Sequence, residues 1–273
     1  MANLENPTTV TPIKMLYIGD SGSGKTGSLA SLAHAGYNLR ILDLDNGLDA
    51  LRNYLLDVKS PYKKDSRSRV KAKTITEAVT TLTAMPGGPR QATVWNRLIA
   101  MLNHWKDGPE EDLGPVASWG IRDILVIDSL TFAGYAAMSF AALMNSNTRN
   151  SDTRMIYFHA QNYVEHLIQF LYGDDIKCNV IITGHIQFIG DEMTITHGYP
   201  STVGRALAPK LGRYFNSILM AKSEGTNHRI YTQPTSRVEL KNSAPLKVKP
   251  YYDMTFGLSE FFADVNSGLR ASE

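Results

Sequence analysis

The stretch Gly19-Asp20-Ser21-Gly22-Ser23-Gly24-Lys25-Thr26 constrains this chain more than any other part of it. It satisfies the pattern G-x-x-x-x-G-K-[S/T] in full, and it follows a short apolar run, Ile13 to Ile18, that reads as a buried strand. A helix is expected from about Lys25, closed by Gly36, and Leu39 to Leu44 reads as the next buried strand. Strand, loop, helix, strand is the order of a βαβ unit, so a parallel sheet is implied. Glycines at these spacings let backbone N–H groups converge on phosphate oxygens. Lys25 is placed to reach the β and γ phosphates, Thr26 to offer its hydroxyl to Mg2+, and Gly27 carries the stretch into the helix. ATP and Mg2+ are therefore the expected cofactors.

A phosphate loop of this kind needs a carboxylate at the end of a neighbouring strand to hold the metal's water shell. Asp128, closing the run Ile124-Leu125-Val126-Ile127, stands in that place. Taken alone, an aspartate there would equally cap a following helix. Hydrolysis further needs a group that positions or deprotonates water, and Asp43, Asp45 and Asp49 cluster after the second strand. Alternation puts Asp43 and Asp45 on one side of an extended segment, so periodicity does not choose between them. Asp49 reads also as a cap of the helix through Leu51 and Tyr54.

At 273 residues, 43% hydrophobic and 20% charged, the chain is long enough to bury a substantial core as one elaborated domain, 1–273. A formal net charge of +2 does not announce a nucleic-acid partner, so such a claim must rest on local clusters. The lone cysteine, Cys178, excludes an intrachain disulfide, and with no export signal or long apolar run the expected setting is cytoplasmic, without a membrane. Residues 1–12 read as a short N-terminal arm. Residues 59–120, with the basic run Lys63 to Lys73 and a helical pattern around Trp95 to Trp105, read as an insertion. A third and a fourth strand are expected at Ile124 to Ile127 and Val180 to Thr183, with a long helix between them over about Tyr157 to Leu171. Beyond that, Ser217 to Ala221, Arg229 to Thr232, Arg237 to Leu240 and Tyr251 to Thr255 alternate in the manner of antiparallel strands.

From about Ile13 to Phe262 this order of motifs resembles the RecA-like recombinase core, and within it the short nucleotide-binding ATPases that phages encode for single-strand annealing and recombination. The resemblance implies an α/β fold: a RecA-like P-loop NTPase core with a mainly parallel central sheet, flanking helices and antiparallel strands at the C-terminal edge. It places Asp45 where the family has a catalytic glutamate, Asp128 at the metal-binding strand end, and His185 where the family has a glutamine that senses the γ-phosphate. Ile186 to Gly204 corresponds to the principal DNA-binding loop, with Gln187, Phe188 and Tyr199 in it and Arg205, Lys210 and Arg213 after it. Asn145 to Arg154, with Arg149 and Arg154, corresponds to the first DNA loop. Lys241 stands where the family's lysine reaches the ATP of a neighbouring subunit.

The function so implied is an ATPase, stimulated by DNA, that binds single-stranded DNA and promotes annealing or homologous recombination. It would work as a homo-oligomer, filament or ring, with ATP between subunits and a single-strand-binding protein as a further partner. Phe188 and Tyr199 would stack on bases, each such contact being worth about 1 to 3 kcal/mol. Two other classes share the phosphate loop. A helicase or packaging motor would move processively along DNA, whereas an ATP-controlled interaction switch would bind no single strands. Without the resemblance, the loops read as solvated surface, His185 as a loop histidine and Lys241 as an edge-strand lysine.

Overall fold

The computed structural model describes residues 11–76, 92–106, 108–109, 111–145, 153–190, 197–225 and 227–267. In chain order the elements begin with β1 (Lys14–Gly19), α1 (Lys25–Ser28), α2 (Ala30–His34), β2 (Asn38–Asp43), α3 (Asp49–Leu56), β3 (Val70–Thr74) and α4 (Thr93–Asn103). A short ribbon, β4 (Trp105–Lys106) with β5 (Asp112–Gly114), precedes β6 (Asp123–Asp128), α5 (Leu130–Asn145) and α6 (Thr153–Tyr172). Then come β7 (Asn179–Gly184), β8 (Ile186–Ile189), β9 (His197–Pro200), α7 (Gly204–Leu211), β10 (Ser217–Glu224), β11 (Asn227–Tyr231), β12 (Tyr251–Asp253) and α8 (Gly257–Asn266).

The central sheet has eight strands in the order β12-β11-β10-β1-β7-β6-β2-β3. From β10 to β3 every pairing is parallel, and only β11 and β12 run antiparallel, at the C-terminal edge. This is the mainly parallel α/β architecture, with helices on both faces, that the sequence implied. All residues of β1 and β7 are buried, as strands covered on both faces must be. Because successive side chains alternate, Leu16, Ile18, Leu125, Ile127, Val180 and Ile182 point into one core, shared with Leu98, Ala137, Val164 and Leu207 of α4 to α7. Met15, Tyr17, Ile124, Val126 and Ile181 point into the other, shared with Leu29 beside α2, Leu51 of α3 and Phe261 and Phe262 of α8.

Three expectations are corrected. Residues 59–120 are not an insertion throughout: Val70–Thr74 is an edge strand of the central sheet, paired in parallel with β2. Two basic residues of the stretch have defined partners, Lys71 lying 2.8 Å from Glu111 and the Arg69 guanidinium donating to the Gly36 carbonyl. Ser217 to Ala221 is parallel to β1 along its length, and pairs antiparallel with β11 only at Met220 and Ala221. Arg237 to Leu240 forms no strand, and the segment makes only isolated bridges, Gly198 with Val238 and Ile218 with Lys241. The physical reason is competition, since β11 occupies the free edge of β10 from Met220 onward. The helix Leu130–Asn145 carries little 3.6-residue signal because it is apolar on nearly all sides, exposing Phe132 and Tyr135 while burying Ala133 and Ala137. No described helix is long and apolar enough to cross a membrane.

Candidate functional site

The carboxyl ends of β1, β7, β6 and β2 bring the expected residues together, as parallel α/β sheets do for their ligands. β7 lies between the phosphate-loop strand and the strand of Asp128, and Ile18 registers with Gly184 while Asp43 registers with Asp128. Gly24 takes φ 94°, a left-handed conformation that side-chain-bearing residues rarely adopt, and so turns the chain into α1. Lys25 Nζ donates to the carbonyls of Gly19 and Asp20, both at 2.8 Å, and burial pulls its pKa below the usual lysine range. Ser21, Gly22, Ser23, Gly24, Lys25, Thr26 and Gly27 line a cleft of about 270 Å³, with Asp45, Asp128, Ser129 and His185 around it.

Thr26 Oγ donates to Asp128 Oδ2 at 2.8 Å, and Thr183 Oγ donates to Asp128 Oδ1 at 2.5 Å. Asp128 is 2% exposed, and that burial pushes its carboxyl above the usual range, while the two hydroxyls and Lys25 hold it down. Thr26 and Asp128 suit Mg2+, which takes one or two protein oxygens and completes its shell with phosphate and water. Two buried oxygens beside them, Ser129 Oγ and Asp45 Oδ1, lack a hydrogen-bond partner, as expected where a hydrated cation and a phosphate belong. Among the described residues no group of three or more His, Cys, Asp or Glu that could hold a metal is found.

Asp43 and Asp45, which periodicity left equal, differ sharply in place. Asp43 is 1% exposed and consumed by the fold: it accepts from the Gly47 N–H at 3.2 Å and from Thr74 Oγ at 3.0 Å. Asp45 lines the cleft, and burial together with the Asp128 and Asp43 charges pushes its carboxyl up to about 7. Asp49 stands outside, on the first turn of α3, 3.7 Å from Arg52. His185 lines the cleft, and burial and the Lys25 charge lower its pKa below the usual histidine value.

A second, larger cavity of about 610 Å³ opens on the other side of the phosphate loop, sharing Gly22, Gly24, Gly27 and Ala50 with the first. Tyr54 and Tyr62 give it aromatic walls, and Asn227, His228, Asp253 and Met254 close it from the β11–β12 edge. Tyr62 is anchored by its hydroxyl to the Thr255 carbonyl at 2.5 Å. Sequence reading missed these residues, and also Thr74, Thr183 and Ser129. Tyr54, just past the acidic cluster, and Ser129, which directly follows Asp128, carried a local signal; the others reach the site only through the tertiary fold.

The AAA domain family matches residues 11–244. This chain belongs to it. An AAA domain with an intact phosphate loop is a P-loop ATPase by class, and the family match runs from the strand before that loop to beyond Lys241. Among solved structures the AAA chain is similar to the crystal structure of the RadB recombinase, at 16% identity over 81% of this chain and 80% of that one, with a TM-score of 0.42. No match is found among curated proteins.

The residues expected to meet DNA are more scattered. Gln187 and Phe188 lie exposed on β8, and Tyr199, half-buried, on β9, so the expected loop is in its described part an antiparallel hairpin. Arg205 sits in α7 and Lys210 is exposed in its last turn. Arg213 is paired away from the hairpin, 2.6 Å from Glu165 of α6. Arg154 is the second residue of α6, and Arg149 lies outside the described residues. The backbone of Lys241 is hydrogen-bonded to Ile218, which registers with Leu16, toward the end of β1 away from the phosphate loop.

Proposed function

We propose that this AAA-domain chain hydrolyses Mg-ATP, that it binds single-stranded DNA along the β8–β9 hairpin, and that it acts as an oligomer in strand annealing or recombination. The observation that carries the reading is the position of His185. It lines the phosphate cleft and is followed directly by β8, which exposes Gln187 and Phe188 (50% exposed). Nucleotide chemistry and a stacking surface thus share one short segment of chain.

In this reading the phosphate-loop N–H groups and Lys25 hold the β and γ phosphates, and the nucleoside lies in the larger cavity between Tyr54 and Met254. Thr26 and Asp128 would hold Mg2+, which would supply positive charge to the phosphates. Asp45 accepts a hydrogen bond from the attacking water and takes its proton as the oxygen bonds to the γ-phosphorus and the bond to the β-phosphate oxygen breaks. His185 donates to a γ-phosphate oxygen. Lys241 supplies positive charge to the ATP of a neighbouring copy. It is exposed and lies away from its own phosphate loop, which suits a role in trans.

The test is ATP hydrolysis with and without single-stranded DNA, comparing wild type with Lys25→Ala at two salt concentrations. The reading expects a Lys25-dependent rate that DNA raises and that salt suppresses, because phosphate contacts release counterions. Hydrolysis indifferent to DNA, with no strand binding at low salt, would sink it.

A further inference from the structure

The hairpin is fastened at its root to the helix that leaves Asp128, and one buried hydroxyl bridges both of its strands there. β8 and β9 pair from Ile186 with Pro200, so His185 and Ser201 are the residues at which the hairpin joins the core. The Ser201 N–H donates to the His185 carbonyl at 2.7 Å, closing the root. Thr131, in the first turn of α5 and 7% exposed, bridges both sides of it. Its Oγ accepts from the His185 N–H at 3.3 Å and donates to the Ser201 carbonyl at 3.1 Å. One turn further along α5, Gly134 lets the exit from the hairpin press against the helix. A Cβ there would stand 3.1 Å from Val203 Cγ2 and 3.3 Å from Val203 N, closer than most side chains tolerate. Only Ser129 and Leu130 separate Asp128, which lines the phosphate cleft, from Thr131, and His185 touches both regions.

We propose that Thr131 is a positioning residue: its hydroxyl locks the two roots of the hairpin to the start of α5, so that the hairpin's attitude follows what occupies the phosphate cleft. The inference rests on the ATP-site reading above but not on the identity of the polymer the hairpin meets. A valine at 131 has nearly the same shape and lacks the hydroxyl. It leaves the His185 N–H and the Ser201 carbonyl without their shared partner and the root free to shift. Serine keeps the hydroxyl.

The experiment uses the full chain with Phe188→Trp as a reporter at the exposed face of the hairpin, Trp95, Trp105 and Trp119 being buried. Tryptophan emission is recorded with Mg2+ alone and with Mg2+ plus a non-hydrolysable ATP analogue, and analogue binding is measured separately by calorimetry. With Thr131 in place the emission changes on binding. Thr131→Val is expected to shrink that change about fivefold or more while affinity stays within about twofold, and Thr131→Ser to restore it. An undiminished response in the valine variant overturns the proposal, as does a wild-type hairpin that ignores an analogue the calorimeter sees bind. If calorimetry detects no binding to wild type, the ATP-site reading itself fails and the inference falls with it. Should the valine variant not fold, Thr131→Ala, which removes the same hydroxyl without the branched side chain, takes its place: an undiminished response overturns the proposal.

Discussion

Asp43 ends β2 and Asp45 lies in the bend that follows it, and the fold gives the two carboxylates opposite tasks. Asp43 spends its oxygens on the Gly47 N–H and the Thr74 hydroxyl, whereas Asp45 faces the cleft with Oδ1 unpartnered. Asp45→Asn is therefore expected to lower the steady-state ATPase rate about 100-fold or more, the usual loss of a general base, with ATP affinity retained. Asp43→Asn should instead cost thermal stability. Because burial and the neighbouring carboxylates raise the Asp45 pKa to about 7, the hydrolysis rate should climb between about pH 6 and pH 8 as the base loses its proton. Stability should move the other way. The folded chain holds this proton more tightly than the unfolded chain, whose pKa is near 3.8, so the contribution is complete at acid pH and disappears as pH rises through about 7. Thermal melts of wild type and Asp45→Asn across that window check the sign: the melting temperature of the wild type should fall relative to the variant as pH rises. A constant difference would contradict it.

At the scale of elements, the edge strand β3 is the one whose role is least visible in its own residues. Its sequence, Val-Lys-Ala-Lys-Thr, is polar and half-buried, and it sits in a basic stretch that reads as solvated surface. Pairing in register with β2 brings Thr74 opposite Asp43, and this places a hydroxyl from the sheet's edge behind the acidic cluster. Thr74→Val should lower the melting temperature by about 2 to 4 °C, the worth of one hydrogen bond to Asp43, and Thr74→Ser should recover most of it. If valine leaves the melting temperature unaltered, the bond to Asp43 contributes nothing to the fold. The β8–β9 hairpin poses the converse case. Its aromatic residues were legible in the sequence, but the pairing of Gln187 with Tyr199 and the clasp at Thr131 join residues far apart along the chain.

At the scale of the whole molecule, Lys241 is exposed and lies away from its own phosphate loop, so a trans role can be tested by mixing. Lys25→Ala and Lys241→Ala proteins should each be inactive alone, while an equimolar mixture should regain a measurable fraction of wild-type hydrolysis, about a quarter if subunits exchange freely and active sites count one lysine from each copy. Two inactive proteins that stay inactive when mixed, although they co-assemble by light scattering, would rule the trans lysine out. What the sequence determined by itself was local or periodic: the phosphate loop, which is a contiguous motif, and the buried parallel strands around it, which are continuous apolar runs. From that motif and those runs the mainly parallel α/β fold and the positions of Lys25, Thr26 and Asp128 were readable. Tertiary structure alone decided which aspartate faces the cleft, that β3 belongs to the central sheet and that Arg237 to Leu240 does not form a strand. It also brought Tyr62 and Met254 to one cavity across nearly two hundred residues. Those outcomes depend on strand register and on competition for sheet edges, which are settled by long-range pairing and leave no trace in the periodicity of any one segment.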